Sequence, residues 1–129
     1  MVEGVGGAFL FSHDSRRLAA WYRENLEMDI MGEDKEGGSF YKIFEFRDLD
    51  NPENKHSLAW AIHPAEQNIE GQPRTAKINY RVSDLARMLA RLKSKGVAIE
   101  KTEEDAYGSF ATLQDPDGNQ VELWEPNPE

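Results

Sequence analysis

A chain of 129 residues is long enough to bury one sizeable core and too short for two independent domains. Its formal charge of −9 sets it against phosphate backbones and anionic membrane surfaces, so neither nucleic acid nor a membrane is an expected partner. With no cysteine it has no disulfide, thiolate nucleophile or thiolate metal site, and any chemistry falls to His, carboxylates, Lys or Tyr.

The first seven residues are acidic and glycine-rich and lack the basic start and apolar run of an export signal. No stretch approaches bilayer-spanning length, and the expected location is the cytoplasm. Residues 8–11 read as a strand, and Ser12, His13 and Asp14 suit the cap of a helix over 15–26, where Leu18, Trp21, Tyr22 and Leu26 share one face. A charged glycine-bearing loop leads to a strand over 39–47, a long turn over 48–54 and a strand over 57–63. Residues 64–75 are polar and form a linker.

The second half repeats the plan. A strand over 77–82 precedes a helix over 84–95 with Leu85, Met88, Leu89 and Leu92 inward and Gly96 as its stop. Strands follow over 97–101, 108–114 and 120–124, the last two joined by the turn Asp115-Pro116-Asp117-Gly118-Asn119. Asp14 returns as Asp84, and Gly38-Ser39-Phe40 as Gly108-Ser109-Phe110, both 70 positions further on. This points to one βαβββ module used twice. The expected fold is α+β: mixed sheets curled around a central cavity, with the helices on the outer face. The chain then forms a single domain, 1–129, made of module one over 1–68, a linker over 69–76 and module two over 77–129.

Strand parity assigns one set of side chains to the helices and the other to the cavity. Ile78, Tyr80 and Val82 suit the helix side, which leaves Lys77, Asn79 and Arg81 for the cavity. By the same rule Ala8, Leu10, Ala59, Ala61, Val121 and Leu123 support the helices, while Gly7, Phe9, Phe11, Trp60, Ile62, Glu122 and Trp124 line the cavity. An aromatic wall with a few charged groups is the general form of a small-molecule site. Tyr107, just before Gly108, lies in a loop from which its phenol reaches a ligand. His13, His56 and His63 fall at a helix cap, a turn and a strand end and make no metal cluster.

The closing segment Asp115-Pro116-Asp117-Gly118-Asn119-Gln120-Val121-Glu122-Leu123-Trp124-Glu125-Pro126 resembles the final hairpin of the vicinal oxygen chelate superfamily, which includes glyoxalase I, extradiol dioxygenases and the bleomycin-resistance proteins. The resemblance extends over the Trp-Tyr helix, the meander and the Asp84-Leu85 helix with its Gly96 stop. It implies four equivalent metal-ligand positions, on the first and last strand of each module. These fall on Gly7, Lys77 and Glu122, and on Trp60 when Pro64 is aligned with Pro126; a slip of one residue puts Ala61 there instead. Only Glu122 can ligate, whereas a divalent site generally takes three or more protein ligands. The resemblance therefore implies a binder of a small organic ligand with no metal cofactor, in which Lys77 meets Glu122 where the cation is lost. The alternative is a glyoxalase-like lyase or isomerase, or a dioxygenase, with Glu122 as general base or metal ligand. A homodimer is the assembly that the resemblance implies.

Overall fold

The computed structural model describes residues 3–74 and 76–128; Thr75 of the expected linker and Met1 and Val2 of the acidic leader lie outside them. The elements are β1 (Gly7–Ser12), α1 (Ser15–Leu26), β2 (Phe40–Arg47), β3 (Lys55–Pro64), β4 (Lys77–Arg81), α2 (Leu85–Ser94), β5 (Lys101–Asp105), β6 (Gly108–Gln114) and β7 (Gln120–Pro126). The chain divides into two compact units, Met1–Arg23 with Glu27–Glu70 and Gly71–Glu129 with Glu24–Leu26. No helix of the described residues is long and apolar enough to cross a membrane.

The helices start and stop for local reasons. Asp14 and Asp84 are twin N-caps, with φ of −142° and −143°, accepting the amide hydrogens of Arg17 at 3.1 Å and Arg87 at 3.0 Å. Gly96, at φ +79°, closes α2: the amides of Gly96 and Val97 return to the carbonyls of Lys93 and Leu92, which satisfies two orphan acceptors.

The first sheet has the order β1-β3-β2, with β1 parallel and β2 antiparallel to β3; the second has the order β4-β7-β6-β5, with β4 parallel to β7 and the rest antiparallel. The curl around a central cavity expected from the sequence is not found in either sheet, each of which is open and runs linearly from edge to edge. Each sheet buries one face. In the first, Leu10, Phe40, Trp60 and Ile62 are buried on the side of Leu18 and Tyr22; in the second, Ala111, Leu113, Val121 and Leu123 form a core with Leu85, Met88 and Leu92 of α2.

Register reveals how far the duplication goes. Phe9 faces Ala61, then Tyr41, and Tyr41 bridges Met31; Asn79 faces Glu122, then Thr112, then Lys101. Residue for residue these are one row of one module. Met31 stands where Lys101 stands, so the isolated Met31–Tyr41 bridge is what remains of a fourth strand in the first half. The recurrence of Gly-Ser-Phe is not an equivalence: Phe40 is buried opposite Ile62, while Phe110 lies on the other face opposite Trp124. A further difference from expectation concerns β5, which begins at Lys101 rather than at Val97. Its Lys-Thr-Glu-Glu-Asp sequence has little strand propensity, and pairing with β6 supplies the order.

Candidate ligand-binding face

On the second sheet the face opposite α2 carries two adjacent rows. One reads Asn79, Glu122, Thr112, Lys101; the next reads Arg81, Trp124, Phe110, Glu103. Lys77 stands at the near end of β4, beside Gln120. Parity thus brings Lys77, Asn79, Arg81, Glu122 and Trp124 to one face, and pairing adds Thr112, Phe110, Lys101 and Glu103.

Glu122 is the electrostatic centre of this face. Its Oε1 accepts a hydrogen bond from Asn79 Nδ2 at 2.8 Å, and its Oε2 lies 2.9 Å from Lys77 Nζ. The Asn79 bond first, then Lys77 and the nearby charge of Lys101, hold the carboxyl below the usual range against an opposing desolvation cost. Because the folded-state pKa is depressed, the folded chain binds fewer protons in the acid range and stability rises with pH there. The contribution is complete above the unfolded carboxyl value, about 4.3, and is lost as pH falls through the folded one. Glu122→Gln is therefore expected to flatten the acid limb of the stability profile. Carboxyl-carbon NMR titration checks the cause: a Glu122 midpoint at or above those of the other glutamates would contradict it.

The aromatic pair beside it is pinned. Phe110 and Trp124 stack with centroids 6.2 Å apart and planes 13° from parallel, and Trp124 Nε1 donates to the Tyr107 carbonyl at 2.9 Å. Tyr107 holds this position through its own amide, which donates to Asp105 Oδ1 at 2.7 Å. The residue is 75% exposed in the β5–β6 turn. The residue therefore acts on Trp124 through its backbone, while the phenol stands in solvent. Lys101 Nζ lies 2.7 Å from Glu103 Oε1, so both Lys77 and Lys101 have a carboxylate partner.

In the first half, β1 follows the expected parity and β3 does not. Phe9 and Phe11, 54% and 51% exposed, flank His63 on the open face at 5.5 and 6.0 Å between centroids. Trp60 and Ile62, expected in the ligand wall, are instead buried on the helix side, where Trp60 meets Tyr22 edge-on at 5.0 Å. The reason is the parallel register with β1: Ile62 pairs with Leu10 and Trp60 with Ala8, so all four share a face. Ala59 and Ala61 correspondingly point to the other face, with Ala61 itself buried, and Ala61, not Trp60, is the counterpart of Glu122. The Phe9 ring also folds over Gly7, where an added Cβ would meet that ring at 2.8 Å and the Ala59 carbonyl oxygen at 2.9 Å. Sequence reasoning missed Phe110, Thr112, Lys101, Glu103 and His63. Applying strand alternation to β6 and β5 would have placed the first four.

A depression of about 640 Å³ lies between the α2 residues Leu85, Ala86 and Leu89 and the strand residues Thr102, Glu103, Glu104, Ser109 and Phe110, so it shares Glu103 and Phe110 with the second row. At its margin Glu125 Oε1 accepts the Leu85 amide at 2.8 Å, acting as a second cap for α2.

The donor set at the four implied metal positions does not fit a divalent ion. It comprises a glycine covered by a phenyl ring, an alanine, an ammonium and one carboxylate already bonded to that ammonium and to an amide. Among the described residues no group of three or more His, Asp or Glu side chains is arranged to hold a metal.

Residues 4–123 match the model of the Glyoxalase/Bleomycin resistance protein/Dioxygenase superfamily. The chain belongs to this superfamily. Solved structures share the fold of this glyoxalase-superfamily chain at low identity. An antibiotic-binding protein, TnmS3, from a Streptomyces species is 19% identical with a TM-score of 0.67 and covers 98% of both chains. The fosfomycin resistance protein FosX of Listeria monocytogenes, solved with Mn(II) and sulfate, is 14% identical with a TM-score of 0.67, over 98% of this chain and 93% of that one. A lactoylglutathione lyase of Agrobacterium tumefaciens is 16% identical with a TM-score of 0.60, over 96% and 94%. No curated protein matches the sequence.

Proposed function

We propose that this member of the superfamily binds a small, flat organic ligand on the open face of its second sheet, without a metal ion. The observation that carries the reading is the carboxylate of Glu122, saturated by Lys77 and Asn79, beside the pinned Phe110–Trp124 stack. An ammonium there supplies positive charge without open coordination positions, so affinity rests on stacking and hydrogen bonding. Trp124, Phe110 and Arg81 contact the ligand, Tyr107 and Asn79 position them, and Lys77 with Glu122 sets the local field. Phe9 and Phe11 offer a similar aromatic surface on the first sheet. Within this reading the protein works in the cytoplasm as single-domain chains, with modules over 1–68 and 77–129 joined by 69–76, that pair into the homodimer its superfamily resemblance implies.

Catalysis with Glu122 as general base is the weaker reading. Hydrogen bonds to the ionised form lower its basicity, and both oxygens are engaged.

Thermal-shift screening in EDTA against aromatic drugs, thioesters and glutathione adducts tests the proposal. A ligand at a hundred times its Kd is expected to add about 2.7 kcal/mol of stability, and Trp124→Ala is expected to abolish that gain. Elemental analysis of the untreated protein should find zinc, nickel, iron and manganese far below one equivalent. Near-stoichiometric metal, or ligand stabilisation that EDTA removes, would overturn it.

A further inference from the structure

Resting on that reading, we infer that the ligand carries a carboxylate at one end of its ring system and that Arg81 is the residue that reads it. Of the cations on the open face of the second sheet, Lys77 is bound to Glu122 and Lys101 to Glu103. The Arg81 guanidinium makes no hydrogen bond or ion pair among the described residues. It is exposed, and its register neighbour is Trp124, the member of the stack fixed by the bond to the Tyr107 carbonyl.

The row therefore runs from an unneutralised guanidinium, across two stacked rings, to a carboxylate that already has its own ammonium. A flat ligand lying along this row has one end where an anion gains a partner and another where it meets Glu103. Arg81 also borders a shallow depression of about 480 Å³ with Val82, Ser83, Glu125 and Pro126. The one acidic group there, Glu125, is held by the Leu85 amide. A guanidinium presents two parallel N–H donors matched to the two oxygens of a carboxylate, which a rigid aromatic acid delivers with little loss of conformational freedom. A neutral ring of the same shape keeps the stacking and forfeits this bidentate contact.

The test uses naphthoate and its neutral isostere naphthamide, followed through the Trp124 indole N–H resonance, with the Trp21 and Trp60 indoles as controls for an intact fold. Naphthoate is expected to bind at least about tenfold more tightly than naphthamide, the scale of one charge-assisted contact. Arg81→Gln should weaken naphthoate by about tenfold or more and naphthamide by much less, so that the preference for the acid disappears, and Arg81→Lys should restore part of the difference. Equal affinities in the parent protein, or a preference for naphthoate that survives Arg81→Gln, would overturn the inference. If neither probe moves the Trp124 resonance, the binding reading itself fails and takes this inference with it.

Discussion

Trp60→Ala is expected to destabilise the protein by about 3–5 kcal/mol, the usual cost of emptying a buried tryptophan site. Trp60 is 1% exposed and meets Tyr22 edge-on, so truncation removes both its own burial and the face against which the Tyr22 ring rests. The alanines beside it in the chain, Ala59 and Ala61, point to the opposite face and cannot collapse into the void. Urea unfolding monitored by circular dichroism measures the effect as a lower midpoint at unchanged slope. Trp124→Ala is the contrast, because its ring lies on the open face and its loss falls mainly on ligand affinity. A Trp60→Ala cost near 1 kcal/mol, typical of an average substitution, would mean that the tryptophan is not core.

Gly108→Ala is the second large effect, with an expected loss of about 3 kcal/mol or more from backbone strain and overlap together. Gly108 has φ +136°, a conformation that L residues rarely adopt. A Cβ there would overlap the Glu125 carbonyl oxygen and approach Trp124 Nε1 to 2.9 Å and the Pro126 Cα to 3.0 Å. The first two obstacles are β7 backbone and an indole tied to the Tyr107 carbonyl, neither of which is a flexible side-chain end. Gly96→Ala separates the two causes. Gly96 also has positive φ but open space around its Cβ position, so only the conformational cost of about 1 kcal/mol remains. Equal losses from the two substitutions would show that crowding at Gly108 contributes nothing. The substitution should also shift the Trp124 indole resonance, since the wall of the ligand face is built against this glycine.

How much of this was legible beforehand depended on whether a local rule or a long-range pairing decided the matter. The helices were legible because Asp14, Asp84 and Gly96 act on their own neighbours, and the Asp115 turn was legible for the same reason: its carboxylate accepts the amides of Asp117 and Asn119, both at 2.9 Å. The approach of Lys77 to Glu122 followed from alternation in two strands with clear patterns. Trp60 did not, because Ala59, Trp60, Ala61 and Ile62 are all apolar and alternation has nothing polar to anchor it. Only the pairing of Ile62 with Leu10 decides the face, and it also shows that the two prolines, Pro64 and Pro126, were the wrong landmarks for aligning the modules. Gly-Ser-Phe misled in the opposite way, as three identical residues offset by one position in the ladder. The strand over 101–105 has no intrinsic signal and exists through its partner.

The incomplete fourth strand of the first half has a practical outcome for handling the protein. Beyond the single Met31 bridge, β2 is an edge of its sheet, and Ile43, Phe44 and Phe46 along it are well exposed. A bare edge with that composition invites strand-on-strand aggregation, and Lys42, Glu45 and Arg47 interrupt it with charge every second or third position. Neutralising those gatekeepers would produce precipitation and fibre formation in protein whose ligand face is untouched.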